Sequence, residues 1–135
     1  PSHLQERWKA ELDELAHSKL QSIGTRLILA QMAEQQNQHE LAAYLKQVAS
    51  EEIRQTNQIF ARLGERKSLK MALANLVHQD RVVLEALREL VETAQAANHS
   101  ENLEFLQQTV QDNQRYKRWF FNMLKQMDEK EVEAS

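Results

Sequence analysis

The chain has 135 residues, the length of about one domain, and 17 basic and 20 acidic side chains give it a formal net charge of -3. It contains no cysteine, which excludes disulfides, zinc–thiolate sites and thiol nucleophiles. The near-neutral charge does not favour nucleic acid or an anionic membrane as a partner, and no apolar run approaches the ~20 residues of a membrane span.

Helix-forming residues dominate the composition. Only two glycines and one proline occur, so turn-forming residues are scarce and the secondary-structure elements should be few and long. We therefore expect an all-α protein. No signal-peptide pattern is recognised, and a cytoplasmic location is the corresponding expectation.

Four helices are predicted along the chain. The first covers about residues 3–35 with Ser2 as its N-cap, and the second covers 39–63 and stops at Gly64. The third covers 69–97 after Ser68, and the fourth covers 101–127 after Ser100. Residues 1–128 should form the folded domain, with 129–135 as a charged, frayed tail.

The connections between the predicted helices are short. Short turns make neighbouring helices antiparallel, which predicts two helical hairpins. The link at 64–67 is short as well, so it favours an up-down-up-down order, although a longer crossover is also conceivable. The predicted architecture is an antiparallel four-helix bundle.

Each helix carries an apolar seam at alternating steps of three and four, and one or two polar residues interrupt each seam near its middle. The interrupting residues are Lys19, Glu52, Gln55, Asp80, Asn113 and Tyr116. Antiparallel pairing places the members of each hairpin at comparable distances from its turn. The sequence therefore predicts a polar layer across the middle of the core.

Several stretches share a pattern of small and apolar helical positions. In the first hairpin they are 30–33, Leu41, 44–45, 49–52 and 60–63, and in the second they are 68–74 and 116–125. This pattern resembles the ferritin-like domain of rubrerythrins over nearly the whole chain. The resemblance implies a ferritin-like bundle and a di-iron site built from one glutamate on each of two helices and Glu-x-x-His on the other two.

The positions that the resemblance assigns to iron ligands depart from that pattern. Glu52 matches the glutamate of the first Glu-x-x-His, but Gln55 stands at its histidine. The expected glutamates of the first and third helices fall at Lys19 and Leu76. The second Glu-x-x-His falls at Asn113 and Tyr116. A shift of one turn would bring Asp80 inward without creating the motif.

Lys19 suggests what replaces the metal. An ammonium group is a poor neighbour for iron but a good partner for Glu52 or Asp80, and an unpaired buried charge would be costly. We expect an ion-pair and hydrogen-bond network that includes Gln55, Asn113 or Tyr116. Lys19→Met should then lower the melting temperature, because removing one partner of a buried pair typically costs ~3–5 kcal/mol. Glu52 as a residual metal ligand is the alternative.

The stretch 115–121 mixes basic and aromatic residues. Such mixing occurs in nucleic-acid sites, but consecutive aromatics spread around a helix and favour a core position together with a protein contact. We expect an interface formed by Trp8, Trp119 and Phe121, with a homodimer or another protein as the partner and neither nucleic acid nor membrane.

Three functions are compatible with these patterns. The first is a non-catalytic, metal-free ferritin-like bundle without a cofactor, acting as a protein-interaction or structural module. The second is a rubrerythrin-like di-iron oxidoreductase or iron-binding protein, whose chemistry needs more carboxylates than the expected positions supply. The third is a small-molecule binder at the central polar layer. We see no nucleophile–base pair or phosphate loop, so the sequence leans away from an enzyme.

Overall fold

A computed structural model describes residues 2–64 and 68–134. It contains four helices: α1 (His3–Gln35), α2 (His39–Leu63), α3 (Leu69–Ala96) and α4 (Ser100–Ala134). The described residues include no strand. The predicted all-α class, with four helices arranged as two hairpins, is confirmed.

Local signals account for most of the helix ends. The Ser2 hydroxyl accepts a hydrogen bond from the Gln5 amide at 3.3 Å, and the Ser68 hydroxyl accepts one from the Met71 amide at 3.1 Å. Both serines thus satisfy an amide that the first helical turn leaves without a partner. Gly64 ends α2 with a φ of 69°, in the left-handed region that glycine enters at little cost.

The two hairpin turns are built alike. Asn37 follows α1 with a φ of 61°, and Asn98 follows α3 with a φ of 56°. In each turn the next amide reaches back five residues, from Gln38 to the Ala33 carbonyl and from His99 to the Ala94 carbonyl. Asparagine tolerates the left-handed region better than most residues, so both turns stay short and each pair of helices is antiparallel.

The chain divides into two compact units at Ser68, and each unit is one hairpin. In hairpin one, α1 packs against α2. Leu12 and Ala16 of α1 meet Ile59 and Phe60 of α2 in its apolar cluster. Nearer the turn, small side chains are buried on both helices and allow a close approach of the two backbones: Ala30, Ala33, Ala42 and Ala49.

In hairpin two, α3 packs against α4, and the buried residues Val77, Leu84 and Ala94 all belong to α3. The amino end of α3 lies beside the carboxyl end of α4. The Lys70 ammonium lies 2.5 Å from an Asp128 carboxylate oxygen and 2.6 Å from a Glu131 carboxylate oxygen.

The predicted end of the fourth helix at 127 was wrong, and residues 129–134 of the predicted tail are helical. Helix α4 runs to Ala134, because Glu129, Lys130 and Glu131 favour helix and Lys70 holds Asp128 and Glu131 to α3. Ser135 lies outside the described residues, as do residues 65–67 of the predicted link between the hairpins. None of the described helices is long and apolar enough to cross a membrane.

Candidate functional site

The polar residues of hairpin one meet around a single glutamate. Glu52 of α2 is only 6% exposed and is one of two buried polar side chains among the described residues. On α1, Lys19, Ser22 and Arg26 recur at steps of three and four, so they share the helix face that looks toward α2. Gln55 lies one turn after Glu52. We call Lys19, Ser22, Arg26, Glu52 and Gln55 the Glu52 cluster.

Both carboxylate oxygens of Glu52 accept hydrogen bonds. Oε1 accepts one from the Ser22 hydroxyl at 3.2 Å and a charge-assisted one from Nε of Arg26. Oε2 accepts one from Nζ of Lys19 at 3.4 Å, and the same ammonium donates to Oε1 of Gln55 at 2.8 Å. The cluster therefore joins α1 to α2 through one anion, two cations and two neutral polar groups.

The surroundings of Glu52 favour its ionised form. The hydrogen bond from Arg26 is the main cause that lowers the pKa of Glu52 below its ordinary value, and Ser22 and Lys19 act in the same direction. Burial opposes this shift because it penalises the charged carboxylate, but the donors outweigh it. Glu52 is buried although only two helices pack together in this hairpin.

Thr56, the other buried polar side chain, adds nothing to this cluster. Its hydroxyl donates to the backbone carbonyl of Glu52 at 2.7 Å, one turn earlier in the same helix. Thr56 is thereby satisfied within α2 and does not reach the Glu52 carboxylate.

The other three residues predicted for the polar layer belong to hairpin two. Asp80 is half-buried, and its Oδ2 is buried without a hydrogen-bond partner among the described residues. Asn113 donates to the Thr109 carbonyl of its own helix at 2.8 Å. Tyr116 is 46% exposed, and the Arg115 guanidinium lies 5.3 Å from its ring centre.

The structure thus brings Lys19, Glu52 and Gln55 into contact. In the described part of hairpin two, no hydrogen bond joins Asp80, Asn113 and Tyr116 to one another.

Sequence reasoning missed Ser22 and Arg26. Both lie on the face of α1 that carries Lys19, three and seven residues further along, and this spacing is a signal that could have identified them. Arg26 resembles an ordinary surface arginine in the sequence. Its side chain is still 38% exposed, but its guanidinium turns inward to Glu52.

The Glu52 cluster does not fit a di-iron centre. Iron in such a site is held by several carboxylates and by histidine. The cluster contains one carboxylate, whose two oxygens already accept hydrogen bonds, and two cations that would repel a metal ion. Within 2–64 and 68–134, no three His, Cys, Asp or Glu side chains lie close enough together to hold a metal ion.

The three residues predicted for an interface are largely exposed. Trp8 in hairpin one and Trp119 in hairpin two are each 58% exposed, and Phe121 is 50% exposed. The Trp119 ring also packs edge-on against Phe120, with the ring centres 5.4 Å apart. Trp119 is therefore held by a neighbour on one side and open on the other.

No family model matches this chain, and no curated protein or solved structure matches it significantly. The resemblance to rubrerythrins therefore stays a prediction, based on the helical pattern and on the residues at the expected ligand positions.

Proposed function

We propose that this chain is a non-catalytic, metal-free helical module of the ferritin-like class that acts through contact with another protein, including a second copy of itself. The observation that carries the proposal is the occupation of the Glu52 carboxylate by Arg26, Ser22 and Lys19.

The chemistry of the Glu52 cluster supports the metal-free part of the proposal. A ligand carboxylate must offer lone pairs to the metal, but here Arg26 and Ser22 share Oε1 and Lys19 uses Oε2. An arginine guanidinium keeps its charge throughout the physiological pH range. A metal ion would have to displace two cations from Glu52 and replace them with ligands that these positions lack.

Exposed aromatic side chains support the protein-contact part. Trp8 and Trp119 each leave more than half of their surface uncovered. Aromatic residues are enriched in protein interfaces because they bury a large area with few rotatable bonds, and tryptophan is frequent among the residues that dominate binding energy. A homodimer that uses Trp119 is the simplest form of the proposal.

Metal uptake tests the first part. The purified chain is incubated anaerobically with excess ferrous or manganous ion, desalted, and analysed for bound metal. We expect far less than one ion per chain. The matched variant Lys19→Glu/Gln55→His restores two of the ligand types that the resemblance implies, and it should retain more metal than the wild type. Two ions per wild-type chain with a binuclear absorption spectrum would contradict the proposal.

Mass measurement in solution tests the second part. Sedimentation of the wild type should show a dimer at micromolar concentration. Trp119→Ala should weaken the dimer by at least about 10-fold, as expected when a central aromatic residue is removed. Arg7→Gln is the control, because it changes an exposed ion pair with Glu11. A wild type that is strictly monomeric would remove the homodimer and leave a different protein as the partner.

A further inference from the structure

Hairpin two has a groove-like cavity of about 360 Å³ between α3 and α4, which is open to solvent. Four cationic side chains line it: Arg81 and Arg88 of α3, and Lys117 and Arg118 of α4. Leu84, Phe121 and Gln114 form the rest of the wall, and no acidic side chain belongs to it. We call this cavity the Arg88 pocket.

Helical spacing explains why these side chains meet. Arg81, Leu84 and Arg88 follow one another at steps of three and four, so they share one face of α3. Lys117 and Phe121 have the same relation on α4. Antiparallel pairing then places the two faces on opposite sides of one cavity, with Leu84 at its base. Leu84 is 1% exposed, so the base is part of the apolar core.

The four cations of the Arg88 pocket have no carboxylate within ion-pair distance in the described part of the chain. Glu85 and Glu92 lie within one turn of Arg88 on α3, yet neither approaches it within ion-pair distance. By contrast, the neighbouring Arg115 lies 3.2 Å from an Asp112 carboxylate oxygen.

Four like charges around one concave site repel one another and create a positive potential, which a bound anion would relieve. Guanidinium groups bind phosphate with two parallel hydrogen bonds, a geometry that favours a tetrahedral dianion. The charge of the Arg88 pocket therefore indicates a phosphate group as its ligand.

The apolar part of the wall indicates what carries the phosphate. Phe121 is 50% exposed and offers a surface on which a ring or an acyl chain can lie, above the buried Leu84. A second cavity of about 570 Å³ shares Arg88, and its wall combines Val91 and Val110 with polar side chains: Glu92, Gln107 and Gln111. Cavities of this size suit small organic molecules, and a few polar groups on an apolar wall are typical of such sites.

We propose that the Arg88 pocket binds a small organic phosphate. Arg81, Arg88, Lys117 and Arg118 hold the phosphate, and the apolar body lies against Phe121. The site is independent of the Glu52 cluster, since all its residues belong to hairpin two, and it differs from a ligand site at the predicted polar layer.

Calorimetric titration of the full chain with 1-naphthyl phosphate tests the proposal. Inorganic phosphate and 1-naphthol serve as separate titrants that carry only the charge or only the ring. We expect saturable binding of one 1-naphthyl phosphate per chain, and binding at least about 10-fold weaker for each of the other two. Affinity should fall as salt is raised to ~0.5 M, because salt screens exposed charges.

Variants identify the residues responsible. Arg88→Gln and Arg118→Gln should each weaken 1-naphthyl phosphate by about 10-fold or more, as expected for the loss of a hydrogen bond between charged groups. Arg115→Gln is the matched control and should stay within about two-fold, because Arg115 is engaged with Asp112 and Tyr116 outside the pocket. Circular dichroism checks that each variant is as helical as the wild type.

Four results would overturn the proposal. The first is the absence of saturable binding at millimolar 1-naphthyl phosphate. The second is an equal loss of affinity in Arg115→Gln and Arg88→Gln. The third is an affinity for 1-naphthol equal to that for 1-naphthyl phosphate. The fourth is a change of mass in solution in Arg88→Gln without any binding of 1-naphthyl phosphate, which would make this face a protein interface.

Discussion

The two hairpins are both antiparallel helix pairs, but their charged side chains are arranged differently. In hairpin one, a buried carboxylate receives donors from the facing helix, and the resulting cluster links α1 to α2. In hairpin two, one oxygen of Asp80 is buried without a partner among the described residues, while four cations line a cavity beside the core. The same kind of seam interruption is therefore satisfied by hydrogen bonds in one hairpin and leaves a buried oxygen without a partner in the described part of the other.

The difference shows that a polar residue in a helical seam has no fixed meaning. The Glu52 carboxylate is satisfied because Lys19, Ser22 and Arg26 of α1 donate hydrogen bonds to it. Asp80 keeps one buried oxygen without a partner among the described residues. Asn113 donates to a carbonyl of its own helix instead, and Tyr116 is largely exposed. An unsatisfied buried polar group costs free energy, whereas a paired one is close to neutral.

The largest effect is expected when Glu52 loses both cations. Lys19→Met/Arg26→Met leaves a buried carboxylate with only Ser22 as a donor. Breaking a buried pair costs ~3–5 kcal/mol. Lys19 and Arg26 keep 28% and 38% of their side chains exposed, so we expect a loss of about 2–4 kcal/mol in the free energy of unfolding. Urea denaturation measures it.

Two controls sharpen this test. Adding Glu52→Leu to the double variant removes the stranded charge and should recover most of the stability, since well-packed apolar residues often replace a buried ion pair without loss. Arg7→Met breaks an exposed pair with Glu11 and should cost less than ~1 kcal/mol. Equal losses in Arg7→Met and in the double variant would refute the importance of the Glu52 cluster.

Glu52→Gln should have the next largest effect. At neutral pH it keeps the shape of the side chain but removes the charge that Arg26 and Lys19 contact. We expect a loss of about 2 kcal/mol in the free energy of unfolding, the size of a hydrogen bond to a charged group. Glu11→Gln, at an exposed glutamate, is the matched control.

The Glu52→Gln effect should depend on pH in one direction. The folded protein lowers the pKa of Glu52, so the stability that its charge contributes is fully present above the ordinary glutamate pKa and is lost as the pH falls through the folded-state pKa. The gap between wild type and variant should therefore narrow on acidification. A gap that widens toward acid pH would contradict the assignment.

A smaller effect of opposite sign is expected in hairpin two. Asp80→Leu removes a carboxylate oxygen that is buried without a partner among the described residues. We expect the free energy of unfolding to rise by ~1 kcal/mol, because the unsatisfied group is replaced by an apolar one. Asp13→Leu in α1 controls for the better helix propensity of leucine, and it also removes an exposed contact of 3.6 Å between Asp13 and His17. A destabilised Asp80→Leu variant would indicate that Asp80 has a favourable partner.

The smallest effect concerns the end of α4. Lys70→Gln removes the cation that Asp128 and Glu131 share, and hydrogen exchange should become faster at the amides of residues 128–134. The midpoint of urea unfolding should not change. The Asp128 and Glu131 carboxylates raise the pKa of Lys70, so this contribution persists below the ordinary lysine pKa and is lost as the pH rises through the raised value. Unchanged amide hydrogen exchange at 128–134 in Lys70→Gln would disprove the role of Lys70 in holding the end of α4.

The sequence by itself determined the helices and most of their ends. Ser2, Ser68 and Gly64 act through atoms a few residues away, so their effect can be predicted without knowing the fold. The contact of Lys19 with Glu52 and Gln55 follows from counting residues back from a short turn. This counting works because two antiparallel helices rise at the same rate.

Only the tertiary structure decided which side chains cross between helices. Arg26 reaches Glu52, and Lys70 reaches Asp128 and Glu131, because of how each helix is rotated toward its neighbour. The Arg88 pocket likewise requires α3 and α4 to be side by side, since its cations lie more than 25 residues apart in sequence between the two helices. Helical spacing specifies a face, but the packing of buried side chains specifies which face meets which.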